Sequence, residues 1–145
     1  MTRALQHIQS LPTWLLGRVA AQGHGLVGDA VLRETGLKLS HHAVLAAVAE
    51  YGPLAQADLV RRLGFDPKDV VLLLNRLERE GLLERRPDPD DRRKNAVTAT
   101  PEGLRTLQRC AELAEQANAQ LLTPLTPKER EQLVGLLRRL HTQER

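Results

Sequence analysis

The sequence predicts a mainly α-helical protein with one small β-hairpin. Two short helical segments follow each other across a tight turn between Leu59 and Gly81. A basic, proline-containing stretch comes next and cannot continue a helix. Apolar side chains recur at helical spacing on both flanks. Together these features predict a winged helix-turn-helix, in which the hairpin is the wing and the N- and C-terminal helices form a dimerisation region.

The first helix of the pair contains Leu59 and Leu63 one turn apart. Gly64 follows them and can adopt the positive φ that ends a helix. Asp66 is expected to cap the second helix, and Pro67 suits its first position. Two helices joined by so few residues predict a helix-turn-helix, whose second helix has the size and position to enter the major groove of a duplex.

The second helix has one apolar face, which we expect to point into the core. At about 100° per residue its members fall together: Val70, Leu73, Leu74 and Leu77. Asp69 adds negative charge to the first turn, and Gly81 ends the helix. The side chains that point outward or sideways are Lys68, Val71, Leu72, Asn75, Arg76 and Arg79.

Two short strands are predicted after Gly81, near Leu83 to Arg86 and Lys94 to Thr98, with Arg92 and Arg93 in the loop between them. The formal net charge is only +3, but this stretch concentrates cations beside the second helix. Local charge density matters more than net charge for binding phosphates. The cations are Arg85, Arg86, Arg92, Arg93 and Lys94.

Several classes of protein are disfavoured. No apolar stretch approaches the roughly 20 residues that span a bilayer, and the start of the chain lacks a signal pattern, so we expect no membrane partner and a cytoplasmic location. The single cysteine, Cys110, disfavours a disulfide framework and a cysteine-rich zinc site. No phosphate-binding glycine loop, serine elbow or zinc-hydrolase helix is present, so we expect neither an enzyme nor a cofactor.

The segment from Gly64 to Gly103 resembles the MarR (multiple-antibiotic-resistance regulator) family of bacterial transcription factors. The run Asp88-Pro89-Asp90-Asp91-Arg92-Arg93 is similar to that family's wing tip, and the threonine-proline-glutamate-glycine helix start follows it in family order. The resemblance implies a single domain over residues 1–145. Residues of about 1–34 and 103–145 would form the dimerisation helices, and residues of about 40–100 the winged lobe.

The resemblance implies a homodimer that binds a pseudo-palindromic double-stranded DNA operator as a repressor. In the family the wing aspartate braces the arginine two residues on, here Asp91 and Arg93, and such a basic loop fits the minor groove. The family commonly carries threonine and arginine where Val71 and Leu72 stand, so those polar base contacts do not carry over. The expected DNA-binding residues are Lys68, Asp69, Val71, Leu72, Asn75, Arg76, Arg79, Arg86, Asp91, Arg92 and Arg93.

Helical patterns on both flanks support dimerisation. One heptad seam comprises Leu104, Leu107, Ala111, Ala114, Asn118, Leu121 and Leu125. Thr126 and Glu129 predict a capping box for the last helix. A further apolar face comprises Leu11, Leu15, Val19, Leu26 and Ala30. Four glycines weaken this first helix by roughly 1 kcal/mol each relative to alanine, so we expect packing against a partner to hold it.

The resemblance also implies a small-molecule effector, most often an aromatic carboxylate. Some phenolic-acid-sensing relatives pair an arginine on the first helix with a histidine six residues on, an arrangement similar to Arg18 and His24. A second pair of histidines follows Ser40, the expected cap of the next helix. The candidate ligand-binding residues are Arg18, Trp14, His24, His41 and His42.

Three alternatives stay open. A redox-responsive regulator would need a reactive cysteine, whereas Cys110 lies within an apolar helix. A metal-responsive regulator could use the histidines, but the adjacent pair diverges by about 100° on a helix, and we predict no metal site. A winged helix could also serve as a protein-interaction module, against which the two wing arginines argue.

Overall fold

The computed structural model describes residues 3–143, which contain seven helices and one two-stranded sheet. The elements in chain order are α1 (Ala4–Gln9), α2 (Pro12–Thr35), α3 (Leu39–Tyr51), α4 (Gln56–Leu63), α5 (Pro67–Arg79), β1 (Leu83–Pro87), β2 (Asn95–Ala99), α6 (Pro101–Leu121) and α7 (Pro127–His141). The mainly helical fold class with a small β-wing is confirmed.

The chain divides into two compact units, and the division falls within α2 and α6. One unit is Val27–Ala114, and the other combines Met1–Leu26 with Glu115–Arg145. The first unit contains the helix-turn-helix (α4 and α5) and the hairpin, and we call it the winged unit. The second contains α1, α7 and the outer parts of α2 and α6, and we call it the terminal unit.

The core of the winged unit is built from aliphatic side chains of α3, α4, α5 and the hairpin. All four apolar side chains predicted to face inward from α5 are buried, with Val70 and Leu77 fully so. Cys110 is also fully buried in this core. An ion pair on the surface links α2 to α6, because Arg109 donates from both Nε and Nη2 to the Glu34 carboxylate at 2.6 and 2.5 Å.

The turn of the helix-turn-helix has the predicted chemistry. Gly64 adopts φ +70°, and its N–H donates to the Val60 carbonyl at 2.9 Å, which ends α4. Asp66 then caps α5, because its Oδ1 accepts from the Lys68 N–H at 2.8 Å. At the other end of α5, Gly81 adopts φ +73°. These local signals therefore determine the length and the boundaries of α5.

The hairpin lies within one residue of its predicted position. β1 and β2 pair antiparallel, with Leu83 opposite Ala99 and Pro87 opposite Asn95. Outside these strands, Leu54 forms a bridge to Val97, with N–O distances of 3.1 and 2.8 Å. This bridge attaches the segment before α4 to the base of the wing.

The start of α6 requires a threonine and a glycine. Thr100 Oγ1 accepts from the Gly103 N–H at 3.0 Å and donates to the Gly81 carbonyl at 2.6 Å. A Cβ at Gly103 would lie 2.1 Å from the Leu82 carbonyl oxygen, so any larger residue would displace backbone. The predicted helix start is confirmed, and it joins α6 to the end of α5.

The buried face of α6 differs from the predicted heptad seam. Its fully or nearly buried residues include Cys110, Leu113 and Ala117, whereas Leu104 and Ala111 of the seam are exposed. The two stripes are adjacent on the helix, and the assignment of the seam to a dimer interface stays a prediction. At Thr126 the prediction is confirmed, because Thr126 Oγ1 accepts from the Glu129 N–H and Glu129 Oε1 accepts from the Thr126 N–H.

The expectation that Ser40 caps α3 is wrong. The helix begins at Leu39, the cap position is Lys38, and Ser40 lies in the first turn. His41 supplies the capping atom instead, because its Nδ1 accepts from the Lys38 N–H at 3.0 Å. This side chain is only 7% exposed. Burial lowers the pKa of His41, and the nearby charges of Arg76 and Lys38 lower it further, while Glu80 opposes them.

We expect this cap to make stability depend on pH. Protonated Nδ1 cannot accept a hydrogen bond, and the pKa of His41 in the folded chain lies below its ordinary value of 6.5. Between those two values the unfolded chain binds more protons, so the free energy of unfolding falls as pH falls through that window. His41→Gln retains an acceptor that does not titrate, so the loss of stability between the two pH values should be smaller in this variant.

Chemical denaturation near pH 7.5 and near pH 5 tests this expectation. The comparison belongs in a His42→Gln background, because burial lowers the pKa of His42 as well. His41→Ala serves as the control that loses the cap at both pH values. An unchanged pH dependence in His41→Gln would contradict the assigned role.

Candidate nucleic-acid interface

The outward face of α5 carries a mixed polar and apolar row. Lys68, Leu72, Asn75 and Arg79 recur at intervals of three and four residues, and all four are exposed. Leu72 has 67% of its surface exposed, which is a large apolar area for a side chain with no core role. Val71 is half-buried at the edge of this row, and Asp69 is exposed in the first turn. The row can therefore offer donors and a methyl-bearing side chain to a base edge.

Asn75 is held from the hairpin. Its Oδ1 accepts from Arg85 Nη2 at 2.8 Å, and Arg85 Nε lies 3.4 Å from Glu78 Oε2. Arg85 is a β1 residue, so these contacts connect the wing to the middle of α5. The carboxamide of Asn75 consequently has a defined orientation.

Arg76 points toward a different part of the winged unit. Its Nε donates to Glu80 Oε1 at 2.6 Å, and its Nη2 donates to the Gly36 carbonyl at 3.2 Å. Gly36 directly follows α2 and has φ +72°. Arg76 is half-buried, so its guanidinium joins the end of α2 to α5.

The wing tip contains the aspartate–arginine pair that the resemblance implied. Asp91 Oδ1 accepts from both the backbone N–H and the Nε of Arg93 at 3.1 Å, and the Arg93 side chain is 91% exposed. The Arg93 side chain holds the pKa of Asp91 below its usual range, and the Arg93 backbone N–H adds to the effect. The bracing of Arg93 by Asp91 is confirmed as a contact in the free chain.

The rest of the loop is closed by its own backbone. The Asp88 N–H donates to the Lys94 carbonyl at 2.8 Å, and Asp88 Oδ1 accepts from the Asp90 N–H. Arg86 Nη2 lies 2.8 Å from Glu84 Oε1 on the same strand. Arg92 is exposed, and none of its side-chain atoms forms a hydrogen bond or ion pair with the residues that the structure describes. The loop therefore presents two arginines outward from a closed turn.

A groove runs between the start of α4 and the hairpin. It carries both signs of charge, from Asp58, Arg61 and Lys94 among others. Arg61 pairs with Asp58, and Asp58 Oδ2 also accepts from the Ala55 N–H to cap α4. The walls of the groove are formed mainly by α4 and the hairpin, which precede and follow α5 in the chain. A large ligand that contacted both α5 and the wing would therefore also lie against this groove.

The candidate ligand residues fall into two groups. In the terminal unit, the Arg18 guanidinium carbon lies 5.6 Å from the centroid of the Trp14 ring, and His24 is exposed. Trp14 and Arg18 are therefore brought together on α2, as expected from their spacing. In the winged unit, His41 is committed to the cap of α3 through Nδ1, and His42 is half-buried.

The comparisons with known proteins agree with this geometry. A sequence model of the MarR family matches residues 35–94, which include the helix-turn-helix and most of the wing. A protein of Thauera aromatica, named as a transcriptional regulatory protein for the hcr operon, is 31% identical over 103 residues. The chain belongs to the MarR family. The match to the Thauera protein covers 71% of this chain and 62% of that relative's length.

Two further relatives are similar to this chain over most of its length. The HTH-type transcriptional repressor NicR of Pseudomonas putida is 28% identical over 123 residues, covering 85% of this chain and 78% of NicR. Bordetella bronchiseptica BpsR is 28% identical, with a TM-score of 0.74 over 94% of this chain and 96% of that chain. Its structure concerns the regulation of BpsR DNA binding by 6-hydroxynicotinic acid.

The geometry also bears on the redox and metal alternatives. Cys110 is fully buried, and burial raises the pKa of its thiol, which disfavours the reactive thiolate. Among residues 3–143, no group of three or more histidine, cysteine, aspartate or glutamate side chains is arranged to hold a metal ion. No helix in the same range is long and apolar enough to cross a membrane.

Sequence reasoning missed the positions of two arginines in this MarR-family chain. Arg85 was counted only as part of a basic cluster, yet it contacts Asn75. Arg76 was assigned to the outward face, yet it bonds to Gly36, 40 residues away in the chain. The arginine-to-glutamate spacing from Arg76 to Glu80 was the one local signal that could have suggested an intrahelical partner for Arg76.

We expect the wing contact to be measurable in the free protein. Arg93→Gln removes the charged partner of Asp91, so the pKa of Asp91 should rise toward its ordinary value of 3.8 while the backbone hydrogen bond remains. Side-chain carboxyl chemical shifts followed against pH report this change. Arg92→Gln removes an equal charge next to the pair and should move the pKa of Asp91 much less. Equal effects of the two variants would show that Asp91 senses only the general charge of the loop.

Proposed function

We propose that this regulator is a homodimeric repressor of a pseudo-palindromic DNA operator and that a small aromatic carboxylate releases it. One observation carries the DNA-binding part of the proposal. The winged unit exposes the row on α5 and, beside it, a wing whose Arg93 is braced by Asp91 and 91% exposed. The proposal places the protein in the cytoplasm, where its DNA lies.

The two exposed parts suit the two grooves of B-form DNA. The major groove admits an α-helix, and the α5 row offers Lys68, Asn75 and Arg79 as polar contacts and Leu72 as an apolar contact to a thymine methyl. The minor groove is narrow and electronegative over A·T stretches, where an arginine is favoured. An exposed pair such as Asp91 with Arg93 contributes little to stability, so its value is the orientation of the arginine.

The other residues predicted to bind DNA have different roles in this proposed complex. Arg92 and Arg86 belong to the exposed basic surface of the hairpin and suit phosphate contacts. Arg76 is already bonded to Glu80 and Gly36, so we assign it mainly to holding α5 in place. Val71 and Asp69 flank the row and would shape the contact surface.

Dimerisation is supported by the apolar surface of the terminal unit. Leu5, Leu15, Leu16 and Val19 are large exposed apolar residues of α1 and α2, and α7 adds Leu136 and Leu140. Such exposed surface on a small unit favours an interface. Two protomers would read two half-sites about one helical turn, roughly 34 Å, apart.

The effector class is supported by one contact and one relative. BpsR binds DNA in a manner regulated by 6-hydroxynicotinic acid, which is an aromatic carboxylate. In this chain Trp14 and Arg18 place an aromatic face beside a guanidinium, which together suit a ring and a carboxylate. His24, His41 and His42 are the further candidates. An effector that binds the DNA-incompetent arrangement better must lower DNA affinity, and DNA must weaken effector binding equally.

The wing part of the proposal predicts a selective loss of DNA affinity in Arg93→Ala. Removing one cation from a groove contact should weaken duplex binding by about tenfold at moderate salt and reduce the salt dependence, while the melting temperature stays near wild type. Fluorescence anisotropy with a selected operator measures the duplex affinity of the wild type and of the variant at several salt concentrations. Arg105→Ala is the matched control, because it removes another exposed arginine that pairs with a nearby carboxylate, Glu102 on α6. Equal losses in both variants would leave only a general charge effect.

The effector part of the proposal predicts an uninducible repressor. Arg18→Ala should keep operator affinity but lose release by aromatic acids, because the carboxylate loses its cation. Arg18→Lys should be partly active, since lysine retains the charge without the planar fork. Titration calorimetry with 6-hydroxynicotinate and salicylate as probes measures the binding directly. Wild-type affinity for a releasing acid in Arg18→Ala would remove Arg18 from the site. Release of DNA by neither acid in the wild-type protein would count against the effector class itself.

A further inference from the structure

We propose that Arg85 determines which base Asn75 reads, by fixing the orientation of the Asn75 carboxamide. The proposal rests on the proposed DNA-binding function and adds a positioning residue to it. Arg85 lies on β1, and Asn75 lies on the exposed row of α5, ten residues earlier in the chain. In the absence of Arg85, an exposed asparagine would be free to rotate its amide by half a turn.

The chemistry of the contact permits only one orientation. A guanidinium carries hydrogen-bond donors and no acceptor, so Arg85 Nη2 can pair only with the amide oxygen of Asn75, 2.8 Å away. Glu78 holds the same guanidinium from the other side, with Arg85 Nε 3.4 Å from Glu78 Oε2. The Arg85 side chain is 32% exposed, so about two thirds of it is shielded from water. Arg85 is held between the two α5 residues.

This orientation changes what Asn75 offers to DNA. A bidentate contact to adenine needs the oxygen and the amino group of the amide directed at one base edge. With its oxygen turned toward Arg85, Asn75 presents mainly its NH₂ group, which is a donor. In the major groove the acceptors are guanine N7 and O6, thymine O4 and adenine N7, whereas the donors are the cytosine N4 and adenine N6 amino groups.

The orientation of Asn75 predicts which bases occupy one position of each operator half-site. The base that faces Asn75 should be guanine or thymine, cytosine should be depleted, and adenine should show no advantage over guanine. A bidentate pairing of Asn75 with adenine would then require that Arg85 release the amide.

Selection of bound duplexes from a random pool tests the inference. Arg85→Met removes the donors and keeps most of the aliphatic stem, so adenine enrichment relative to guanine should rise by about fivefold or more at one position in each half-site. Asn75→Ala should abolish the preference at that same position, which identifies it. Glu78→Gln is the matched control, because it removes the charge of the ion pair but keeps an amide oxygen that can accept from Arg85, so the Arg85–Asn75 hydrogen bond and the base preference should be retained.

A second variant tests the inference without disturbing Arg85. Asn75→Asp retains an oxygen for Arg85 and replaces the donor by an acceptor, so the preference at the same position should move from guanine and thymine to the bases with a major-groove donor, cytosine and adenine. Because the readout is relative enrichment at one position, a general loss of affinity or of stability does not imitate the result.

The possible failures are distinguishable. If the wild-type protein enriches no sequence, the proposed DNA-binding function itself fails. If the wild type enriches a palindrome but Arg85→Met keeps the same base at the Asn75 position, or Asn75→Asp does not move the preference to cytosine or adenine, the inference about Arg85 is overturned and the proposed function stands.

Discussion

Burial of one apolar stripe of α5 determines the rest of the candidate interface. Val70, Leu73, Leu74 and Leu77 are all removed from water, and each buried aliphatic side chain contributes about 1.5–3 kcal/mol relative to exposure. Rotation of the helix by one residue would bring a polar side chain into this core. The stripe therefore sets the rotation of α5 about its axis, and the row that includes Leu72 and Asn75 is exposed as a direct consequence.

The polar contacts around α5 orient side chains more than they stabilise the fold. Most of these ion pairs are exposed, and such pairs contribute roughly 0–1 kcal/mol each. Their geometry is nevertheless specific, since Asp91 directs Arg93 and Arg85 directs Asn75. The Arg76 guanidinium donates to the Gly36 carbonyl and so connects α5 to the end of α2. In a protein that recognises a duplex, a pre-oriented donor loses less conformational entropy on binding than a free one.

The two units expose different kinds of surface. The winged unit combines a fully buried core with an exposed polar row, which suits an independent DNA-reading module. The terminal unit exposes large apolar side chains such as Leu5 and Leu136, which suits association with a second copy. Trp14 and Arg18 lie in this terminal unit, so an effector bound there would act on the part of the chain that assembles the proposed dimer.

The sequence by itself determined the elements whose signals are local. The Gly64 turn, the Asp66 cap, the Thr126–Glu129 box and the hairpin depend on atoms a few residues apart or on backbone conformation that few residue types adopt. The inward face of α5 was likewise predictable from its period. Sequence reasoning failed where a choice depends on neighbours. The cap of α3 is supplied by His41 and not by the predicted Ser40, because packing buries the His41 side chain beside the Lys38 N–H. Tertiary structure alone decided the contacts of Arg76 with Gly36 and of Arg85 with Asn75, because a long flexible side chain bonds to whichever acceptor packing brings within reach.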